Sequence, residues 1–313
     1  LEAVRRALSE SQGDFFIRLA NEPMVGWDTP PMREKWNRWL EQKYRTTNAV
    51  AAAWGLTNGD VTFGSIPIPP QQDCADCARL LDFQNFRESI ADEWTQRQVA
   101  AIKSVAPDTL VTIGLIQWSV PSVLPASWVY SGFRPERQAR YLDYLTIHFY
   151  PLANGHYDYM DDDEARNLAY LDSVIHQVAG LGKPAVIGEF GWYGGGKLTY
   201  GKHPFITEEQ QAQWCRKVVE STAGLACGWL NWGFYDQPEA NDVSQFTGLL
   251  TADGKIKAWG REFQKLAKHN ENRRLHSPRS AARPVLDWNL CVTSAAERIK
   301  FAEANLKAWK AAH

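Results

Sequence analysis

Two glutamates stand in settings where a carboxylate does chemistry. Glu22 follows the apolar run FFIRLA (15–20), inside Asn21-Glu22-Pro23. Glu189 closes the apolar run PAVIGEF (184–190) and is flanked by Gly188, Phe190, Gly191 and Trp192. An isolated Asn-Glu-Pro is more often a solvated turn, because Asn and Pro form turns in their own right. Its weight comes from the second acid, 167 positions further on. Two carboxylates held close cannot both stay ionised cheaply, so one is driven toward the neutral acid. Such a pair cleaves a glycosidic bond: the acid protonates the leaving oxygen, and the carboxylate attacks or activates water.

The elements that must position these acids repeat along the chain. Short apolar strands are expected at 15–20, 110–116, 145–150, 184–190 and 227–234. Amphipathic helices are expected at about 83–105, 135–144, 163–179, 207–222 and 257–267. Near-continuous apolar strands alternating with helices indicate a parallel sheet covered by helices. Thr207 stands three residues before Gln210, a capping-box pattern. Pro184 opens its strand, where a missing N–H costs least. Each strand then ends on polar or aromatic side chains: Asn21 and Glu22; Gln117 and Trp118; His148 and Tyr150; Glu189 and Trp192; Asn231, Trp232 and Asp236. In parallel βα folds that end is where active sites are built. On this register Glu22 and Glu189 face one another across the mouth, at about 5–5.5 Å for a retaining pair.

Residues 32–54 read as one or two helices, with Trp36, Trp39, Leu40 and Tyr44 as a packing stripe, and 57–72 as a Gly- and Pro-rich loop. Residues 270–284 read as an exposed linker, followed by a strand-like run VLDWNLCV and a closing helix. LEAVRRAL at the start resembles the last turns of an amphipathic helix.

Composition excludes some partners. The 313 residues are 44% hydrophobic and 22% charged, with a net charge of −2. Neither nucleic acid nor an anionic membrane surface is indicated as a partner. No apolar run reaches the ~18 residues of a membrane span. Fourteen tryptophans suit stacking on flat ligands. Cys74 and Cys77 form a C-x-x-C without the second pair or histidines that zinc would want, so a loop disulfide or two plain thiols is expected. No cofactor and no metal are expected. The oligomeric state and the cell compartment stay open; a secreted or periplasmic location would follow from a signal segment lost with the N-terminus.

The motifs ANEP, HFYP and IGEFGW, each at a strand end, resemble the retaining β-glycosidases of clan A, with glycoside hydrolase family 5 (cellulase- and mannanase-like) named first. The run W-x-x-W-L-x-x-K-Y followed by AAWG is similar to the β-galactosidases of family 42. The resemblance covers about residues 14–268, the ending GLLTADGKIKAW included. It implies a (β/α)8 TIM-barrel type of α/β fold acting on a carbohydrate substrate. It implies Glu22 as general acid/base, Glu189 as nucleophile and Asn21 on the 2-hydroxyl. Tyr150 would donate to the nucleophile, His148 would contact the sugar or the acid/base, and Trp232 would lie under the ring. Trp118 and Trp192 are further candidate sugar contacts.

One departure stands out. In this clan the acid/base follows the fourth strand and the nucleophile the seventh, whereas Glu22 follows the first strand visible. The expectation is therefore an N-terminally truncated barrel with strands four to eight. Its domain would be 1–268, with an insertion at about 32–80, followed by an extension at 269–313. The early-strand arginine of the family has no candidate. Two rival readings follow: a non-catalytic carbohydrate-binding relic, and a metal-dependent barrel enzyme, which lacks a ligand cluster.

Overall fold

Threonines and prolines set the first helices. In α1 (Pro30–Tyr44), Thr29 caps the start by accepting from the Met32 amide, Pro stands in the first turn, and Arg45 stops it in the left-handed region. In α2 (Thr47–Trp54), Thr46 accepts from the Ala49 amide at 3.2 Å and Gly55 ends it at φ 68°. The expected helical stretch is thus two helices. A computed structural model describes residues 28–57, 59–69, 78–122, 131–151, 162–271 and 283–312. The expected first strand, the N-terminal helix, Asn21, Glu22, Cys74 and Cys77 lie outside them.

The chain divides into two compact units, Leu1–Phe86 and Arg87–His313, with helix α3 (Ala78–Val105) running through the boundary. In the first unit Trp36 is fully buried, stacked on Trp39 and Trp54 at centroid distances of 5.6 and 6.2 Å and edge-on to Phe83. The stripe seen in the sequence is packing. Asp82 is buried and accepts from Tyr44 at 2.6 Å, from the Trp54 indole at 2.7 Å and from Lys43.

The second unit is built on a four-stranded parallel sheet, β1 (Gly114–Ile116), β2 (Leu145–Phe149), β3 (Ala185–Phe190) and β4 (Ala226–Asn231), paired in that order. Alternate residues Leu145, Ile147 and Phe149, with Ala185, Ile187 and Phe190, enter one apolar core. Helix α5 (Asp162–Ala179) lies against β2 and β3, with Tyr170 edge-on to Phe149. Helix α6 (Glu208–Thr222) contributes Trp214, Val218 and Val219 to that core, and α7 (Ala258–Asn270) contributes Trp259. The capping box is formed: Thr207 accepts from the Gln210 amide at 3.2 Å, and the Thr207 amide donates to Gln210 Oε1 at 2.9 Å. Thr146 and His148 point to the opposite face, by alternation.

Several elements differ from expectation; the last strand, expected over 227–234, is β4 and ends at Asn231, and the helix expected from about 83 begins at Ala78. The strand expected from 110 begins at Gly114, because the amide of Val111 donates to the Asp143 carboxylate at 2.7 Å and the Thr112 hydroxyl to the Tyr144 carbonyl at 2.8 Å. Those bonds replace a ladder. The helix expected at 135–144 is the single turn α4 (Pro135–Gln138), followed by turns. The run VLDWNLCV is not a strand. Asp287 accepts from the Leu290 amide at 2.9 Å and starts α8 (Trp288–Thr293), which leads into α9 (Ala295–Ala312). The apolar run reads as a strand by composition, but its acidic residue is placed to cap a helix. Helix α9 packs on α5, where buried Asn305 donates to the Ala169 carbonyl at 2.7 Å.

Candidate active site at the strand ends

Register brings the first site residues together. Up to Ile147 the ladder pairs Ile147 with Ile187. It then pairs His148 with Glu189, so Gly188 is the extra residue of a bulge. The shift sets Glu189 directly beside His148. Gly114 on the other neighbouring strand makes room for the imidazole: a Cβ there would lie 2.4 Å from His148 Cε1. A glycine inside a strand pattern is the sequence signal of such an approach.

Two groups meet the Glu189 carboxylate. The Tyr150 hydroxyl donates to Oε2 at 3.0 Å, and His148 Nδ1 stands 3.2 Å from Oε1. Burial lowers the basicity of His148 below its ordinary value, partly opposed by the Glu189 charge. A neutral imidazole then donates when its proton is on Nδ1. Burial, and after it the Glu189 charge, pushes the Tyr150 phenol well above its usual range, so the hydroxyl stays a donor. The Glu189 side chain remains 28% exposed.

The backbone behind Tyr150 is fixed by a strand-end amide. Gln117 opens a 3₁₀ turn, Gln117–Ser119, and is buried. Its Nε2 donates to the Tyr150 carbonyl at 2.8 Å, and its Oε1 accepts from the Tyr150 amide at 2.6 Å.

Beyond β4 the chain forms a second wall. Trp232 is 42% exposed, with its indole N–H donating to Ser244 Oγ at 3.0 Å and its backbone amide to the Phe190 carbonyl at 2.9 Å. The approach to the Glu189 strand is close: a Cβ on Gly191 would stand 2.9 Å from the Trp232 carbonyl oxygen. Asn231 accepts from the buried Trp259 indole at 2.7 Å and donates to the carbonyls of Gly233 and Thr247. Asp236 is turned away into a buried ion pair with Lys257, whose ammonium also donates to the carbonyls of Gly194 and Phe246 at 2.8 Å. Burial raises the Asp236 carboxyl and lowers Lys257, against their mutual attraction.

The sequence-predicted residues thus separate. Glu189, His148 and Tyr150 form one cluster. Trp232 stands on the wall whose amide is bonded to the Glu189 strand. Trp192 is only 5% exposed and packs among Tyr193 and His203 in the core. Trp118 is partly buried against Val292 of α8, on which Trp288 also packs. Gln117 and the glycines Gly114 and Gly188 had not been singled out as site residues. Among the described residues no group of three or more His, Cys, Asp or Glu is arranged to hold a metal ion, and no helix is long and apolar enough to cross a membrane.

The α/β fold with a parallel sheet is shared with solved TIM-barrel glycosidases. The family model described as beta-galactosidase of glycoside hydrolase family 42 matches residues 18–191, a range that includes both Glu22 and Glu189. The match spans more than half of the chain, and the chain belongs to that family. Family 5, which the motifs placed first, is replaced by family 42; the likeness holds at the level of the clan.

Solved structures similar to this chain include the β-galactosidase of the psychrophilic Marinomonas ef1, at 17% identity and TM-score 0.56, covering 76% of this chain and 36% of that one. The β-galactosidase of the Antarctic haloarchaeon Halorubrum lacusprofundi has 17% identity and TM-score 0.58, covering 83% and 38%. A catalytic mutant of a family 42 β-galactosidase from G. stearothermophilus has 14% identity and TM-score 0.60, covering 88% and 41%. At these identities the likeness shows the fold. The chain spans about two-fifths or less of the length of each. No curated protein matches the sequence.

Proposed function

We propose that this chain carries the catalytic machinery of a retaining β-glycosidase acting on β-galactosides, with Glu189 as nucleophile and Glu22 as general acid/base. The observation that supports it most is the Tyr150 hydroxyl and the His148 ring meeting one oxygen each of Glu189, at the C-terminal end of a parallel strand. The Tyr150 donor, joined by His148 when its proton is on Nδ1, restricts rotation of the carboxylate, whose side chain stays 28% exposed. In the first step a Glu189 oxygen bonds the anomeric carbon, the bond to the leaving oxygen breaks, and the Glu22 proton passes to that oxygen. In the second, water gives its proton to Glu22, attacks the same carbon and releases Glu189. Trp232, half-exposed with its indole N–H already bonded, offers its ring as a platform for the apolar face of a sugar. Asn21 takes the 2-hydroxyl on the motif match.

The test is a panel of nitrophenyl β-galactoside, β-glucoside and β-mannoside. Turnover is expected on the galactoside first. Glu189→Ala should lower it by at least ~10⁴-fold, and azide should restore part of it with inverted product. Glu22→Ala should still form the glycosyl-enzyme from substrates with good leaving groups, and azide should then give retained product. Reversed stereochemistry exchanges the two roles. Galactoside binding without hydrolysis of any member would replace this reading with the carbohydrate-binding relic.

A further inference from the structure

Gln117 has no part in the chemistry just described, yet it is buried in a setting where a polar side chain needs a reason. Its amide makes two bonds to one residue, spanning from the end of β1 to the end of β2: Nε2 to the carbonyl of Tyr150 and Oε1 to the amide of Tyr150. Such a two-point clamp imitates a strand partner beyond the last ladder pair, Ile116 with His148. Tyr150 lies outside any strand, and its phenol reaches back to Glu189. The turn that carries Gln117 is held in turn: the carbonyl of Trp118 accepts from the Ser131 amide at 3.2 Å, and the Trp118 ring packs on Val292.

We propose that Gln117 is a positioning residue, which fixes the Tyr150 backbone so that the phenol is delivered to Glu189. The proposal rests on Glu189 being the working carboxylate, and its mechanism is geometric. Without the clamp the Tyr150 peptide is free to rotate, and a small rotation carries the hydroxyl beyond hydrogen-bond reach. Among the described residues, the charged groups that act on the Tyr150 phenol are Glu189 at the end of β3 and Asp242 in the loop after β4, with His148 beside Glu189.

Gln117→Met keeps the volume and removes both bonds; Gln117→Asn keeps the amide but is one methylene too short to make both. Two readouts separate positioning from mere stability, both on protein shown to be folded by its melting curve. The first is the Tyr150 phenol, followed by NMR with ¹³Cζ-labelled tyrosine and assigned by the signal lost in Tyr150→Phe. In the native protein it is expected to remain protonated at pH ~10.5; in either variant it should titrate nearer the ordinary value of about 10. The second is a double-mutant cycle on the aryl galactoside. Gln117→Met should lower kcat ~5–20-fold with KM little changed, and by less than ~2-fold in the Tyr150→Phe background. Unaltered Tyr150 titration in folded variants, or additive losses in the cycle, overturns the positioning role. If the native protein turns over no β-glycoside, the enzymatic reading falls, and the Tyr150 titration still decides what Gln117 does.

Discussion

Asp82 and Glu189 are both carboxylates that accept a hydrogen bond from a tyrosine, and they are built for opposite ends. Asp82 is closed: its side chain is 3% exposed and takes the Tyr44 hydroxyl, the Trp54 indole and the Lys43 ammonium. Glu189 is open: its side chain is 28% exposed and faces a phenol and an imidazole, with no Lys or Arg ion pair among the described residues. Burial and the adjacent carboxylate push the phenols of Tyr44 and Tyr150 upward alike. A perturbed tyrosine therefore does not mark the site by itself. The difference lies in saturation. A carboxylate with its acceptor positions filled and a cation beside it has nothing left for a substrate, while one held by neutral donors at a strand end does.

Substituting the acids tests the contrast most strongly. Glu189→Gln should lower turnover by at least ~10⁴-fold and move the melting curve little. Asp82→Asn should do the reverse, costing ~2–4 kcal/mol in a denaturant titration and leaving kcat of the folded protein as it was. The cost stays below that of a fully buried pair because the Lys43 side chain is 40% exposed. Loss of turnover in a folded Asp82→Asn protein would break the comparison.

The tyrosines sharpen it at smaller scale. Tyr150→Phe removes one bond to a charged group and should lower kcat ~10–100-fold. Tyr44→Phe should leave kcat alone and cost ~1–2 kcal/mol of stability. Equal effects of both on unfolding, with neither affecting turnover, would make Glu189 a second anchor.

The smallest effect is on pH dependence. Burial holds the folded-state pKa of His148 below the ordinary 6.5, so between the two values the unfolded chain binds more protons. Stability is then full above about 6.5 and declines as pH falls toward the folded value. His148→Asn should flatten that acid-side decline in melting temperature measured across pH 5–7. His176, lowered for the same reason, keeps part of it.

The strands and helices nearest the site were legible because their signals are local. The run LTIHFY and the run PAVIGEF became β2 and β3 within a residue, and Thr207 with Gln210 formed the capping box. What stayed hidden depends on partners distant in sequence. The start of β1 is set by Asp143, and the helical fate of VLDWNLCV by the cap at Asp287. Trp118 and Trp192 looked like sugar contacts because they follow strands; the first is packed on α8 and the second is in the core. The clamp of Gln117 could not be seen, since an amide at a strand end states no partner. Gly114 and Gly188 were readable in principle as glycines inside strand patterns, but only the ring of His148 gives the first its purpose.

The packing of Trp118 and Trp288 on Val292 sets an order in time. Those tail residues leave the ribosome 170 positions or more after Trp118. At ~5–20 residues per second, that is a wait of roughly 10–30 s. β2, β3 and β4 all emerge within that interval, while the indole beside Gln117 lacks its cover. Until α8 docks, the apolar ring of Trp118 at the end of β1 lacks the Val292 side chain that covers it in the folded unit.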